Sequence, residues 1–246
     1  MNSILNVSAY KFVELNDPAG WRGRVHAEAS ARGLKGTVLL AEEGINFVVA
    51  GAPEGVEGFV AWLGSHREFE GLPVKASGSS AVPFGKLVVK VKREIIRMNR
   101  PTIRPHTQRA PAVDAATLAR WLAAGRDDSG REVVMLDTRN GFEVDRGRFR
   151  QALDWRLTKF SDFPDALRAH RHELEGKTVV SYCTGGIRCE KAALLMADAG
   201  IDNVLQLDGG ILKYFERAGG AHFEGDCFVF DEREALTDTL APRLTL

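Results

Sequence analysis

Apolar and polar positions alternate in strand-like fashion over residues 4–15 and again over 36–49, the second run broken at Glu43-Gly44. Between them, residues 18–33 read as a helix. A second helix is predicted over 53–66, where Val56, Phe59, Val60 and Leu63 recur at helical spacing. The pattern then returns to strand over 87–98, with Leu87, Val89 and Val91 alternating against Lys86, Lys90 and Lys92. The resulting order, β-α-β-β-α-β, is the split-βαβ or ferredoxin-like arrangement, with the Glu43-Gly44 break as the hairpin turn between the second and third strands. This α+β domain is expected to span residues 1–98.

Residues 99–113 interrupt the pattern. Pro101, Pro105 and Pro111 alternate with Arg100, Arg104 and Arg109, and each proline removes a backbone donor and restricts its predecessor, so the stretch reads as a linker. Beyond it short apolar runs alternate with helices: a helix over 114–124, a strand over 133–136, a helix over 163–174 and a strand over 178–182. Continuous apolar strands separated by helices predict a parallel sheet covered on both faces, hence an α/β domain over 114–220, followed by a tail over 221–246.

The length of 246 residues suits two domains of ordinary size. Lys and Arg together number 33, as do Asp and Glu, so any attraction to nucleic acid must come from a local patch. Such a patch exists over 86–109, where Lys86, Lys90, Lys92, Arg93, Arg97, Arg100, Arg104 and Arg109 face one acidic residue, Glu94. Lysines alternating with apolar residues would line one sheet face, either as a phosphate-tracking surface or as a solvated face that discourages edge pairing. Three cysteines, Cys183, Cys189 and Cys227, make no disulfide framework and no CxxC pair, which fits reduced thiols in a cytoplasm. Neither a signal peptide nor a membrane-length apolar run is read in the chain.

The chemistry concentrates where the strand over 178–182 runs into Cys183-Thr184-Gly185-Gly186-Ile187-Arg188 and then an amphipathic helix. A thiol at such a turn lies at the C-terminal edge of a parallel sheet, beside the free N–H groups of a helix start, where the thiolate is favoured. Gly185 and Gly186 let the backbone curl close to the sulfur, and Arg188 adds a permanent cation. The alternative is a buried structural cysteine next to an ordinary glycine turn. Cys189 is either a small helix residue near the site or a resolving thiol, the latter only if the loop folds back on itself.

This segment resembles the rhodanese family, as do Val133-Val134-Met135-Leu136-Asp137-Thr138-Arg139 with Glu143, and Val204-Leu205-Gln206-Leu207-Asp208-Gly209-Gly210-Ile211. The resemblance gives Cys183 the role of a persulfide carrier and makes Asp137 a loop anchor at the end of the central strand. Cys183 to Arg188 is C-x4-R, whereas the related cysteine phosphatases use the longer C-x5-R loop. Where many rhodaneses have Gly-His-Ile-Pro-Gly-Ala, this chain has Gly147-Arg148-Phe149-Arg150-Gln151-Ala152, which alters the rim of the site.

A fuller resemblance covers nearly the whole chain. Ala41-Glu42-Glu43-Gly44-Ile45-Asn46, the run over 83–95 beginning Pro83-Phe84-Gly85, the loop over 183–191, and Phe228-Val229-Phe230-Asp231-Glu232-Arg233 together resemble the rhodanese-domain tRNA uridine(34) hydroxylases. That resemblance implies oxygen-dependent 5-hydroxylation of the wobble uridine, with tRNA as partner and molecular oxygen as co-substrate. It names no electron source. Many family members continue into a cysteine-rich C-terminal segment that this chain does not show. The 41–46 segment is then either a plain hairpin turn or a loop through which Glu42, Glu43 and Asn46 contact substrate, and Asp231 with Arg233 reads as an ion pair that pins the tail.

No dinucleotide fingerprint and no facial-triad histidine pattern is present, so no cofactor and no metal is expected from the residues themselves. The expected protein is a cytoplasmic enzyme that hydroxylates a tRNA uridine through Cys183 and Arg188, supported by Asp137, Arg139, Glu143 and Cys189. The rival readings are a sulfurtransferase moving sulfane sulfur to a thiol acceptor, and a noncatalytic RNA- or protein-binding module.

Overall fold

A computed structural model describes residues 3–243. The chain divides into two compact units, Met1–Arg97 with Phe230–Arg233, and Met98–Val229 with Glu234–Leu246.

In the first unit the elements run β1 (Ile4–Phe12), α1 (Pro18–Ala31), β2 (Lys35–Ala41), β3 (Gly44–Gly51), α2 (Pro53–Gly64), β4 (Val74–Ser79) and β5 (Leu87–Val91). They form one sheet of order β4-β1-β3-β2-β5. The period-two pattern selects its buried face: Val7, Ala9, Val38, Leu40, Ile45, Phe47, Val49 and Val89 pack against Trp21 and Val25 of α1 and Val56, Phe59 and Leu63 of α2. The expected ferredoxin-like order is present, with one correction. Its fourth strand is Val74–Ser79, which pairs antiparallel with β1, and Leu87–Val91 is an additional edge strand parallel to β2. The Ser- and Gly-containing run Val-Lys-Ala-Ser-Gly-Ser hides β4 from a hydrophobicity pattern. The fifth strand also stops at Val91, short of the expected Met98.

Gly44 shows why the β2–β3 turn has its sequence. Its φ of +139° and a would-be Cβ only 2.0 Å from the Lys11 carbonyl oxygen admit glycine alone. The C-terminal segment Phe230–Arg233 completes this unit. The Glu232 N–H donates to the Pro83 carbonyl at 3.2 Å, and Arg233 pairs with Asp231 at 2.6 Å while donating to Ser77 Oγ at 2.7 Å.

The second unit comprises β6 (Ala112–Val113), α3 (Ala115–Ala124), β7 (Val133–Asp137), α4 (Gly141–Val144), β8 (Gly147–Phe149), β9 (Leu153–Asp154), α5 (Phe163–His170), β10 (Thr178–Tyr182), α6 (Ile187–Asp198), β11 (Val204–Leu207), α7 (Gly210–Ala218), β12 (Phe223–Gly225), β13 (Cys227–Phe228) and β14 (Ala235–Leu236). Strands β6-β11-β10-β7-β9 form a sheet, parallel throughout. Asp114 caps α3 by accepting the N–H groups of Ala116 and Thr117, which fixes the start of the first helix. The helix expected over 163–174 is α-helical only to His170 and finishes as a 3-10 turn, Arg171–Leu174.

The linker over 99–113 carries packed residues and a short strand. Ile103 and Ala110 are buried, and Ala112–Val113 is an edge strand of the parallel sheet. The prolines exclude helix, as their chemistry requires, without excluding packing. The residues beyond 220 likewise contribute ordered strands: β12 pairs with β8, and β13 with β14.

Candidate active site

Register places the reactive loop. In β7 and β10 Asp137 stands opposite Tyr182, so Thr138 and Cys183 emerge side by side at the C-terminal edge of the sheet, the edge where open parallel sheets present their functional loops. Thr138 ties the two strand ends together, donating both its N–H (3.0 Å) and its hydroxyl (2.9 Å) to the Tyr182 carbonyl. Chain continuation through Gly186, in a left-handed conformation at φ +99°, turns the backbone into α6. A second glycine seals the loop from the other side. Gly210 opens α7, and a Cβ there would lie 2.5 Å from the Cys183 carbonyl oxygen and 2.7 Å from the Gly186 nitrogen. Because that side chain is absent, Ile211 N–H donates to the Cys183 carbonyl at 3.0 Å and Leu212 N–H to that of Thr184 at 3.1 Å.

The Cys183 sulfur is 1% exposed and accepts the Gly186 N–H at 3.1 Å. Burial alone pushes the thiol up. The hydrogen bond from Cys189, the Arg188 charge and the N–H groups of Arg188 and Gly186 outweigh it and bring Cys183 down to about 5. Cys189 moves the other way. Its burial and the Cys183 thiolate hold it well above the usual thiol range, so it remains the proton-bearing partner of the pair. In the first turn of α6 the Cys189 N–H reaches the Gly186 carbonyl at 3.1 Å, and its sulfur lies 3.8 Å from the Thr138 hydroxyl. Cys227, fully buried, is pushed up to about 12 by its burial and stays a thiol.

Two buried arginine pairs frame the loop. Arg188 meets Glu143 with both ends of its guanidinium, 2.6 and 2.8 Å. Arg139 meets Asp137 at 2.6 Å and also donates to the Gly147 carbonyl at 2.6 Å, with neither member of this pair exposed. Glu143 has a further task, accepting the Asn140 N–H at 3.0 Å as the capping box that starts α4. At the end of β7 Asp137 accepts both the backbone N–H and the guanidinium of Arg139. Arg188, expected as a catalytic cation, is held by Glu143 and acts on Cys183 through its charge and its backbone N–H. Thr184 donates to the Phe228 carbonyl at 3.4 Å, while Gly185 and Ile187 complete the loop between Cys183 and α6.

The other sequence candidates lie elsewhere. Lys86, Lys90, Lys92, Arg93 and Arg97 are all exposed in the first unit, on or beside the edge strand β5. Arg100 falls in the second unit, half-buried and 3.9 Å from Asp165. Arg109 pairs with Glu190 of α6 at 3.0 Å. Of the 41–46 segment, Glu42 is exposed at the turn, whereas Glu43 accepts the Ile95 N–H at 2.7 Å and Asn46 donates to the Ile95 carbonyl at 3.2 Å. Glu43 and Asn46 thus hold the chain as it leaves β5. Thr138 and Gly210 join the site without being sequence candidates, although the Gly209-Gly210 pair is a visible signal. Among the described residues no group of three His, Cys, Asp or Glu side chains is placed to hold a metal.

Comparison with known proteins agrees with this layout. Residues 4–95 match the UPF0176 acylphosphatase-like domain and residues 117–217 the rhodanese-like domain. The protein from Bordetella avium named tRNA uridine(34) hydroxylase is 62% identical over 98% of this chain and 99% of its own. Its namesake from Bordetella pertussis is 61% identical over 99% of this chain and 100% of its own, and that from Variovorax paradoxus 59% identical over 99% and 92%. With both domains matched in order and three-fifths of the residues shared from end to end, the chain belongs to the tRNA uridine(34) hydroxylase family.

Proposed function

We propose that this chain hydroxylates uridine 34 of tRNA in the cytoplasm, with molecular oxygen as co-substrate and Cys183 as the reactive thiol, working as a persulfide or as a redox centre. One observation carries the reading: in a chain so similar to named hydroxylases over its full length, a thiolate is stabilised at the sheet edge by an amide, a paired arginine and a second thiol. Catalysis needs an ionised sulfur ready at neutral pH, and the amide, Arg188 and Cys189 around Cys183 favour one. The exposed cations Lys86, Lys90, Lys92, Arg93 and Arg97 supply the phosphate-binding surface.

The test is product formation from purified chain and tRNA under isotopically labelled oxygen, with a reductant series supplied. Labelled 5-hydroxyuridine from the wild type and none from Cys183→Ser is the expected result; product carrying only solvent oxygen would remove oxygen as co-substrate. The rhodanese-like loop of C-x4-R size favours sulfur transfer as the second reading. Thiosulfate sulfurtransferase activity measured in parallel decides between them: efficient transfer with no tRNA product would establish the rival.

A further inference from the structure

A half-exposed aromatic ring stands beside the reactive loop. Phe142 is 50% exposed, although Gly141 and Glu143 on either side of it are buried. Its helix α4 is fixed by the Asn140–Glu143 capping box and packs against β8 and β13. The ring is held edge-to-face by Phe228, with centroids 5.2 Å apart and planes at 85°. Both contacts lead back to Cys183. Phe228 accepts the hydroxyl of Thr184, the residue after the cysteine, and Glu143, the residue after Phe142, grips Arg188 at the other end of the loop. Arg148 is exposed on β8, a strand against which α4 packs.

We propose that Phe142 is the platform on which the target pyrimidine stacks, with Arg148 contacting a flanking phosphate. The inference rests on the reading of the chain as a tRNA uridine hydroxylase. Chemistry on a ring carbon beside a buried thiol requires the base to leave its own stack and lie against the protein. Single-stranded loops are recognised in this manner, their splayed bases lying on aromatic side chains. A phenyl ring packed on Phe228, and followed in the chain by the Glu143 that grips Arg188, compensates lost base stacking. Phe142 touches substrate on this account and is a specificity-determining residue, distinct from the residues that tune the sulfur.

The experiment compares Phe142→Ala, Phe142→Leu, Phe142→Tyr and the wild type. Binding is measured to an anticodon stem-loop RNA with uridine at the target position and to the same RNA abasic there. The wild type should prefer the uridine RNA, and the preference should vanish in the Ala and Leu variants and persist in Tyr. kcat/KM on tRNA should fall by about 10- to 100-fold in Ala and Leu, the range that stacking of one base supports. Cys183 alkylation at the wild-type rate in every variant would show the loop unchanged. Equal affinity of the wild type for both RNAs, or Leu performing as well as Phe, would overturn the proposal. If the wild type binds the uridine RNA preferentially yet hydroxylates no tRNA, the functional reading fails while the platform stands.

Discussion

Arg188 and Glu143 form a buried, two-pronged ion pair, 2.6 and 2.8 Å, that joins α6 to α4 behind the Cys183 loop. The pair has two effects: it fixes a cation where the sulfur feels it, and it spends a carboxylate to do so. Removing one partner leaves an uncompensated buried charge, which costs about 3–5 kcal/mol where such pairs have been broken. Glu143→Gln should therefore lower stability to chemical denaturation by roughly that amount, and a loss under about 1 kcal/mol would class the pair with surface ion pairs. Arg188→Lys keeps a charge and loses the planar fork, so it should fold while slowing the chemistry.

The Cys183 thiol, brought down to about 5, has a pH signature whose sign is fixed. A depressed acid is ionised above its folded value, so alkylation by iodoacetamide should be nearly constant from about pH 6 to 9, whereas an ordinary thiol of pKa near 8.5 gains about tenfold per unit below that value. Cys189→Ala removes a donor to the sulfur and should move the alkylation midpoint upward. A wild-type profile still rising through pH 8, measured by mass spectrometry of the 183-containing peptide, would contradict the loop electrostatics.

Gly210 predicts a steric effect at a distance in sequence. Alanine there meets Cys183 and Thr184 carbonyl oxygens at 2.5 and 2.8 Å with φ at +67°. Gly210→Ala should cost about 2 kcal/mol or more and disturb the sulfur's surroundings, so Cys183 alkylation should slow along with the loss of stability. Unaltered melting and unaltered alkylation would show that α7 does not support the loop.

Reversal of Lys90 and Lys92 to Glu tests the basic surface. If these exposed side chains meet phosphates, tRNA affinity should fall and its dependence on salt should flatten by about one unit of log–log slope per lost contact. Unchanged affinity and slope at several salt concentrations would leave them as a solvated face of an edge strand.

Much of this architecture is legible in the sequence. Alternation at Val7, Val38, Phe47 and Val89 marks the buried sheet face, and the run Val179-Val180-Ser181-Tyr182 into Cys183 marks a strand ending in a reactive turn. β4 was hidden because Ser77, Gly78 and Ser79 carry no hydrophobic signal on a strand whose partner supplies the packing. The burial of Ile103 and Ala110 within the linker over 99–113 is not legible, because proline chemistry specifies backbone conformation and is silent on burial. The partner of Arg188 lies 45 residues away, and only the fold brings Glu143 to it. Periodicity likewise gives no hint that Arg188, Cys189, Glu190 and Lys191 all lie buried at the start of α6. Phe142 escaped notice for the opposite reason, since an exposed phenylalanine looks like core until its surroundings are known.

Nucleoside mass spectrometry of tRNA tests the central claim most directly. Cells lacking the gene are complemented with the wild type or with Cys183→Ser, both expressed to equal levels, and their tRNA is digested and analysed for 5-hydroxyuridine-derived nucleosides. The account predicts the modification with the wild type and its absence with Cys183→Ser, although the serine variant still binds tRNA. Full modification by Cys183→Ser, or the same modification level with and without the gene, would contradict it.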